Sequence, residues 1–594
     1  MFKRANKITS LLVAAASVMA LVPAYAADVK KVDSEDGTVY NAVAYKDGKF
    51  YVDGEINDDE EAYYVADGKF NKLEDVDSGD DADLFGEKYL DVSDGDYTVD
   101  LDKGSVTDDD VKGDTADDAA AALRKKIKDD TDDRYKEDVA DNIKSEDDLA
   151  IISGAKYDKP WYATTYTAST KAVNDKVNGL DTATSKVFNI YTDTNGAYID
   201  ADYNLGKVKV TTTADGAKKE VTVENTNDTY DAAGANSAGK DKISASVKQT
   251  KVLTQDKDNI YRLVEVTVKT GYGDITEING VELAKIAADK TIFDGTSTEV
   301  TFPAIQKISK AQSSDEVDGA KYAKTVTTYA LSNDSGETLD DTGLFTGTIN
   351  AEYTVVGNKL VAYTTDKSYT GASSEGAKVL ARAYTLKSKS SYYYADSEDQ
   401  TKEDCEVSAQ DKTTSAVQTD VDGNLWRLDG GYIYKFDGTD DWDKVYKVDG
   451  SFDELQVYDK DNMVAWSEDD DVYSLIGGKS ADENNGGETT TPVTTAGWTQ
   501  TAAGWTYTKA DGTKATGWLQ DGGAWYYLKA DGTMATGWVQ DGATWYYLNG
   551  SGAMQTGWLN DNGTWYYLNG SGAMLSNTTT PDGYYVGANG AWVK

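Results

Sequence analysis

Gly-Trp recurs at Gly497-Trp498, Gly517-Trp518, Gly537-Trp538 and Gly557-Trp558, a step of twenty residues each time. A second Trp keeps that step at Trp505, Trp525, Trp545 and Trp565. So do the pairs Tyr526-Tyr527, Tyr546-Tyr547 and Tyr566-Tyr567, and the series Met534, Met554, Met574. A fixed period of this length with a turn in every unit predicts a β-hairpin solenoid over residues 497–594. One such hairpin is too small to bury two Trp, two Tyr and a Met. Stacking neighbours covers part of each set and leaves aromatic faces in the grooves between them. Side chains alternate along a strand, so Trp545 and Tyr547 share one side and Tyr546 points to the other. A groove of two Trp, a Tyr and a Met is a cage for a quaternary ammonium, held by cation–π attraction without a carboxylate. It equally offers a stacking surface for the apolar face of a sugar.

The unit Gly-Trp-x6-Trp-Tyr-Tyr-Leu-x3-Gly-x-Met-x-x-Gly-Trp resembles the choline-binding or cell-wall-binding repeats of Gram-positive surface proteins. Related repeats occur in clostridial toxins and glucan-binding transferases. In that family a site is shared by adjacent hairpins: two Trp from one, with a Tyr and often a Met from the neighbourhood of the next. The resemblance implies a site of Trp518 and Trp525 with Tyr546 or Tyr547, and a second of Trp538 and Trp545 with Tyr566 or Tyr567. A third would set Trp558 and Trp565 against Tyr584 or Tyr585. Tyr527 and the three Met residues, Met534, Met554 and Met574, complete the candidate ligand-binding set. The first unit departs from the pattern, with Thr506 for a Tyr and Lys514 for the Met. The Trp498–Trp505 groove is therefore expected to be poor, and Trp545 to matter more for binding than Trp505. The last unit, around Tyr584-Tyr585-Val586 and Trp592, is degenerate and reads as a cap. The implied partners are choline on wall teichoic acid, or wall and surface glycans.

Export fits this reading. Lys3, Arg4 and Lys7 precede an apolar run from Leu11 to Val22, and Ala24-Tyr25-Ala26 ends it. That is the layout of a secretory signal peptide, residues 1–26. The run is too short to span a bilayer, and no other stretch is long and apolar enough. With no sorting-type motif at Gly590-Ala591-Trp592-Val593-Lys594, retention at a cell surface is expected to be non-covalent.

Composition removes most other functions. The chain has 59 Lys plus Arg against 103 Asp plus Glu, no His and one Cys. A formal charge of −44 repels phosphate backbones, which argues against nucleic acid. Without His there is no His-based triad, no His-ligated zinc and no imidazole acid–base chemistry. The acid lies upstream: residues 497–594 hold nine of the thirteen Trp but only six Asp and four Lys.

The expected class is mainly β and multidomain. Residues 27–114 form an acidic β-hairpin region, with turns at Asp47-Gly48 and Asp67-Gly68 inside alternating runs. Residues 115–155 carry Ala119 to Ala122, Leu123, Ile127 and Val139 among charges without Gly or Pro over most of their length, a helical segment opening at Thr115 with Asp118 as a short capping box. Residues 156–419 alternate with period two, as in Arg262 to Val268, and a hairpin is expected at Asn195-Gly196. This is a β-sandwich-like region of one or two domains. Residues 420–476 are aromatic short strands separated by Asp-Gly turns, and residues 477–496 a flexible linker.

No Gly-x-Ser-x-Gly, HExxH or Walker motif is present. Cys405 has acidic neighbours and no base, so an incidental free thiol is expected. Two carboxylates suffice for a glycosidase, but among 103 acids no pair stands out. The calcium-loop order fails at Asp75–Asp80 and at Asp459–Met463, leaving weak, diffuse divalent-cation binding as what the Asp-rich stretches are compatible with. No cofactor is implied. The expectation is a non-enzymatic wall-attached surface protein. A wall hydrolase with a carboxylate-based catalytic domain is the alternative.

Overall fold

The computed structural model describes residues 29–130, 134–135, 148–154, 156–175, 187–214, 217–226, 229–231, 242–271, 273–339, 351–366, 377–408, 415–467, 469–477, 497–501, 504–509, 514–521, 524–529, 532–541, 544–549, 552–561 and 564–593. The signal-peptide reading and nearly all of the 477–496 linker lie outside these residues. The chain divides into two compact units, Met1–Glu483 and Asn484–Lys594. Both are built of β-sheets, and the described residues include two α-helices, Val111–Asp130 and the short Thr170–Asp175.

The first unit begins with a four-stranded antiparallel meander, Thr38–Tyr45, Lys49–Ile56, Asp59–Ala66 and Lys69–Lys72. Its Asp-Gly turns fold as the sequence predicts. Asp47 and Gly48 have φ of 62° and 69°, and Asp67 and Gly68 have 53° and 72°. Both turn positions need φ > 0, which Asp tolerates and Gly adopts freely. The Asn195-Gly196 turn is longer than a two-residue hairpin. Strands Val187–Asp193 and Tyr198–Asp200 flank it, and the Asp193 carboxylate accepts the N–H groups of Asn195 and Ala197.

The helix starts earlier than expected. Asp110, not Thr115, caps it, its carboxylate accepting the Gly113 N–H at 2.8 Å. Ala119, Ala120, Leu123 and Ile127 then bury one face against Tyr162, Tyr166, Phe188 and Ile190 of a six-stranded sheet. The 115–155 segment is not helical throughout: Ala150–Ile151 is an edge strand paired with Trp161–Thr167. Most of residues 131–147 lies outside the described set.

Within 156–419, an eleven-stranded sheet centred on Lys242–Gln255, Asn259–Thr270 and Glu299–Ser309 is faced by a four-stranded one that includes Asn204–Ala214 and Ala217–Asn225. Val208, Val210 and Val223 pack with Val264, Val266 and Phe302 between them. The alternation read in the sequence is this one-sided burial.

The stretches 27–114 and 420–476, separate in the sequence reading, share sheets and cores. Lys30–Lys31 pairs in parallel with Trp442–Lys447, and Glu35–Asp36 pairs antiparallel with Val472–Ile476. The Gly48 N–H donates to Asn462 at 2.8 Å, and Thr38 donates to Asp471 at 2.7 Å. Val39, Phe50, Val52 and Val65 pack with Val464, Trp466 and Tyr473. Short strands cannot cover their own apolar faces, so the two ends of the unit cover each other.

One buried polar cluster in this unit is organised by a guanidinium. Arg262 is fully buried and donates to Asp202 at 2.8 Å, Gln306 at 3.0 Å, Gln249 at 3.1 Å and the Ala201 carbonyl at 2.5 Å. Replacing it strands the buried Asp202 carboxylate. Arg262→Met is expected to cost about 3–5 kcal/mol, read as a fall in the urea midpoint of unfolding. Adding Asp202→Asn should recover part of that loss; no recovery would remove the pair from the account.

In the second unit four hairpins follow one another, Gly497–Thr501 with Gly504–Thr508, Gly517–Asp521 with Ala524–Leu528, Gly537–Asp541 with Thr544–Leu548, and Gly557–Asp561 with Thr564–Leu568. Each is its own two-stranded sheet, and a shorter pair, Thr578–Thr579 with Tyr585–Val586, closes the series. Leu528, Leu548 and Leu568 are buried, while the second Trp of every repeat is about two-fifths exposed, from 39% to 41%.

Candidate functional site

The first Trp of each repeat is the floor of a groove. Trp518 lies across the hairpin from Tyr527, ring centres 5.2 Å apart, and Trp525 stands at 6.4 Å with its plane turned 81°. The third wall comes from the next hairpin: Tyr546 sits 4.7 Å from Trp518 at 70°. Trp538 repeats this with Tyr547 at 5.2 Å, Trp545 at 6.4 Å and Tyr566 at 4.8 Å. Of each Tyr-Tyr pair, the second therefore packs on its own hairpin's Trp and the first serves the groove before it. That division follows from strand alternation.

The Met residues tie hairpins together. Met534, Met554 and Met574 donate their backbone N–H to the carbonyls of Trp505, Trp525 and Trp545, at 2.7, 2.7 and 2.8 Å. Each Met side chain then lies under a glycine of the following repeat. A Cβ on Gly552 would stand 2.3 Å from the Met534 sulfur, and one on Gly572 would stand 2.2 Å from that of Met554. The Gly-x-Met spacing thus records a contact between successive units.

The first groove draws its Tyr and Met from the next unit. Its Tyr is Tyr526, 4.8 Å from Trp498, and its Met is Met534, bonded to Trp505. Thr506 occupies the position that would serve a groove before the first, where no earlier hairpin is described. It is buried there, bridged to Thr533. Lys514 likewise stands one unit upstream of the Met that this groove uses.

The last groove changes its parts. Tyr584 is the wall, 5.7 Å from Trp558, and Trp592 takes the Met position, donating its N–H to the Trp565 carbonyl at 2.8 Å. Trp558, Trp565, Tyr584, Trp592 and Asp582 enclose a cavity of ≈ 320 Å³. The degenerate end is a lined groove as well as an end piece.

Sequence reasoning missed a carboxylate. Trp518 donates its indole N–H to Asp541 at 3.0 Å, Trp538 to Asp561 at 3.0 Å and Trp558 to Asp582 at 2.7 Å. The recurrence of Asp three residues after the Trp, at 521, 541 and 561, carried that signal. The Asp582 carboxyl is held below the usual carboxylate range, first by the Thr580 hydroxyl and then by the Trp558 indole.

Elsewhere Cys405 is buried beside Val379, Ala381 and Leu425, and burial pushes its thiol up to about 12. It cannot act as a thiolate nucleophile at neutral pH. Among the described residues no group of three or more Cys, Asp or Glu is placed to hold a metal ion, and no helix is long and apolar enough to cross a membrane.

Tandem hairpins that share three-walled aromatic grooves define a repeat module for small apolar or cationic headgroups. The choline-binding repeat models match residues 515–551 and 554–592, and the C-terminal unit accordingly carries choline-binding repeats. Among solved structures, the chain is similar to the choline-binding domain of a Streptococcus pneumoniae protein, with 51% identity over 14% of this chain and 96% of that one, TM-score 0.13. It is also similar to a pneumococcal cell-wall endolysin from phage Cp-1 complexed with choline, with 32% identity over 18% and 31%, TM-score 0.14. A third is choline-binding protein F of Streptococcus pneumoniae, with 23% identity over 52% and 100%, TM-score 0.17. The comparison with curated proteins gives no match.

With Tyr526 and Met534 brought to the first groove, Trp505→Ala and Trp545→Ala should weaken choline binding alike, by about two- to fivefold each, the share of one exposed cation–π wall. Choline titration followed by Trp fluorescence measures this. A silent Trp505→Ala at unchanged thermal stability would return the first groove to the poor status that Thr506 suggested.

Proposed function

We propose that this is an exported surface protein held non-covalently on the cell wall, with its C-terminal grooves gripping choline on teichoic acid and its acidic β unit displayed outward. The observation that carries the reading is the groove itself. Trp518, Trp525 and Tyr546, at 4.7 and 6.4 Å and near right angles, give a cation three aromatic walls, and the same set recurs along the array. The family of the repeats supports choline as the ligand. A wall glycan stacked on the same rings is the alternative ligand.

The binding is multivalent on this reading. One exposed cage at about 0.5–1 kcal/mol per cation–π contact holds a headgroup weakly once the costs of association are met. Several cages on one chain raise the effective concentration for each next contact to about millimolar. The acidic unit has no catalytic role in this proposal.

Millimolar free choline should release the intact protein from cells without protease, read by immunoblot of the supernatant. Retention in choline with release by a soluble wall glycan would move the ligand to sugar. Renaturing zymography on purified walls tests the competing reading, a wall hydrolase targeted by these repeats: a cleared band at the mass of this chain would overturn the non-enzymatic proposal.

A further inference from the structure

Asp541, Asp561 and Asp582 each reach back to the floor Trp of the preceding groove. Asp541 and Asp561 do so from one place, the last residue of the first strand in the next hairpin, Gly537–Asp541 and Gly557–Asp561. Asp582 comes from elsewhere. It lies between Thr578–Thr579 and Tyr585–Val586, outside the twenty-residue pattern and one residue further along from its Trp than the other two. A contact that merely accompanied the repeat would be lost where the repeat ends. Here a different backbone delivers the same carboxylate to the same indole nitrogen, and Thr580 Oγ1 donates to its other oxygen at 2.6 Å.

We propose that these three carboxylates are positioning residues that make the grooves selective for a cationic headgroup over a neutral one of the same shape. This rests on the choline reading above. An N–H···O⁻ bond fixes the indole about its Cβ and is stronger than a neutral one. It also pushes electron density into the ring, and a more negative π-face attracts a cation more strongly. The carboxylate also adds a formal negative charge at the edge of the ring. A quaternary ammonium gains from the ring polarisation and from the charge, whereas a sugar face or an uncharged tert-butyl group gains from neither. The arrangement leaves the walls of each groove aromatic while bonding a carboxylate to the indole N–H of its floor.

The test uses the full chain with Asp541→Asn, Asp561→Asn and Asp582→Asn combined. Asn keeps an acceptor oxygen of the same shape and removes the charge. Wild type and variant are titrated with choline and with its neutral isostere, dimethylbutanol, by Trp fluorescence, with thermal unfolding of each recorded. Choline affinity should fall about fivefold, the scale of an exposed charge interaction, while isostere affinity stays unchanged. Equal losses for both ligands, or no loss for either, would overturn the proposal. If the triple variant does not fold, Asp582→Asn alone is read the same way, as a loss of choline signal confined to one groove. A wild-type chain that ignores choline would instead defeat the choline reading itself, an outcome the Asn variants cannot produce.

Discussion

A backbone hydrogen bond between successive repeats holds the binding surface in place. The N–H of Met534, Met554, Met574 or Trp592 meets the carbonyl of the second Trp of an earlier repeat. Each hairpin is a two-stranded sheet that pairs internally, and an isolated hairpin is marginal in water. The cross-repeat bond sets the separation at which Tyr546 reaches Trp518 and Tyr566 reaches Trp538. The same separation sends a Met side chain under the next glycine, leaving no room for a Cβ. Groove width is thus fixed by main-chain geometry, and the side chains that line the groove can vary at its ends. The exchange of Met for Trp592 at the last position shows that tolerance.

The repeat was legible because its period is short and its residues are rare. Eight Trp on fixed steps leave one consistent hairpin register, and strand alternation then separates Tyr546 from Tyr547. Thr506 and Lys514 were assigned to the groove of their own repeat. A shared site draws its Tyr and Met from later units, so a gap in the first unit's sequence falls outside its own groove. The Asp residues were overlooked for a different reason. Asp at a hairpin turn is already explained by turn chemistry, and nothing local tells that Asp541 also reaches Trp518 in the unit before.

In the first unit, local signals were read well and distant ones were not. Asp47-Gly48 and Asp67-Gly68 determine their own turns through backbone sterics, so the sequence shows them directly. The helix cap slipped from Thr115 to Asp110 because several nearby residues can cap and the choice depends on which turn the sheet beneath can bury. The pairing of Glu35–Asp36 with Val472–Ile476 could not be read at all. Two exposed acidic residues carry no periodicity, and their partner strand lies more than four hundred residues away. Such contacts are decided by which apolar faces remain uncovered after the local sheets have formed.

Charge separates the two units as sharply as architecture does. Nearly all of the −44 belongs upstream, while the array carries six Asp and four Lys. A chain this acidic is repelled by an anionic polymer over about one Debye length, ~8 Å at physiological salt. On the proposed reading, an array that must approach such a polymer cannot rely on general attraction. It needs contacts that recognise the polymer's cationic substituents individually. Aromatic faces do this without adding positive charge, and on the inference above the carboxylates bonded to the indole N–H groups of Trp518, Trp538 and Trp558 strengthen them. The near-neutral surface of the repeats is a consequence of that electrostatic constraint.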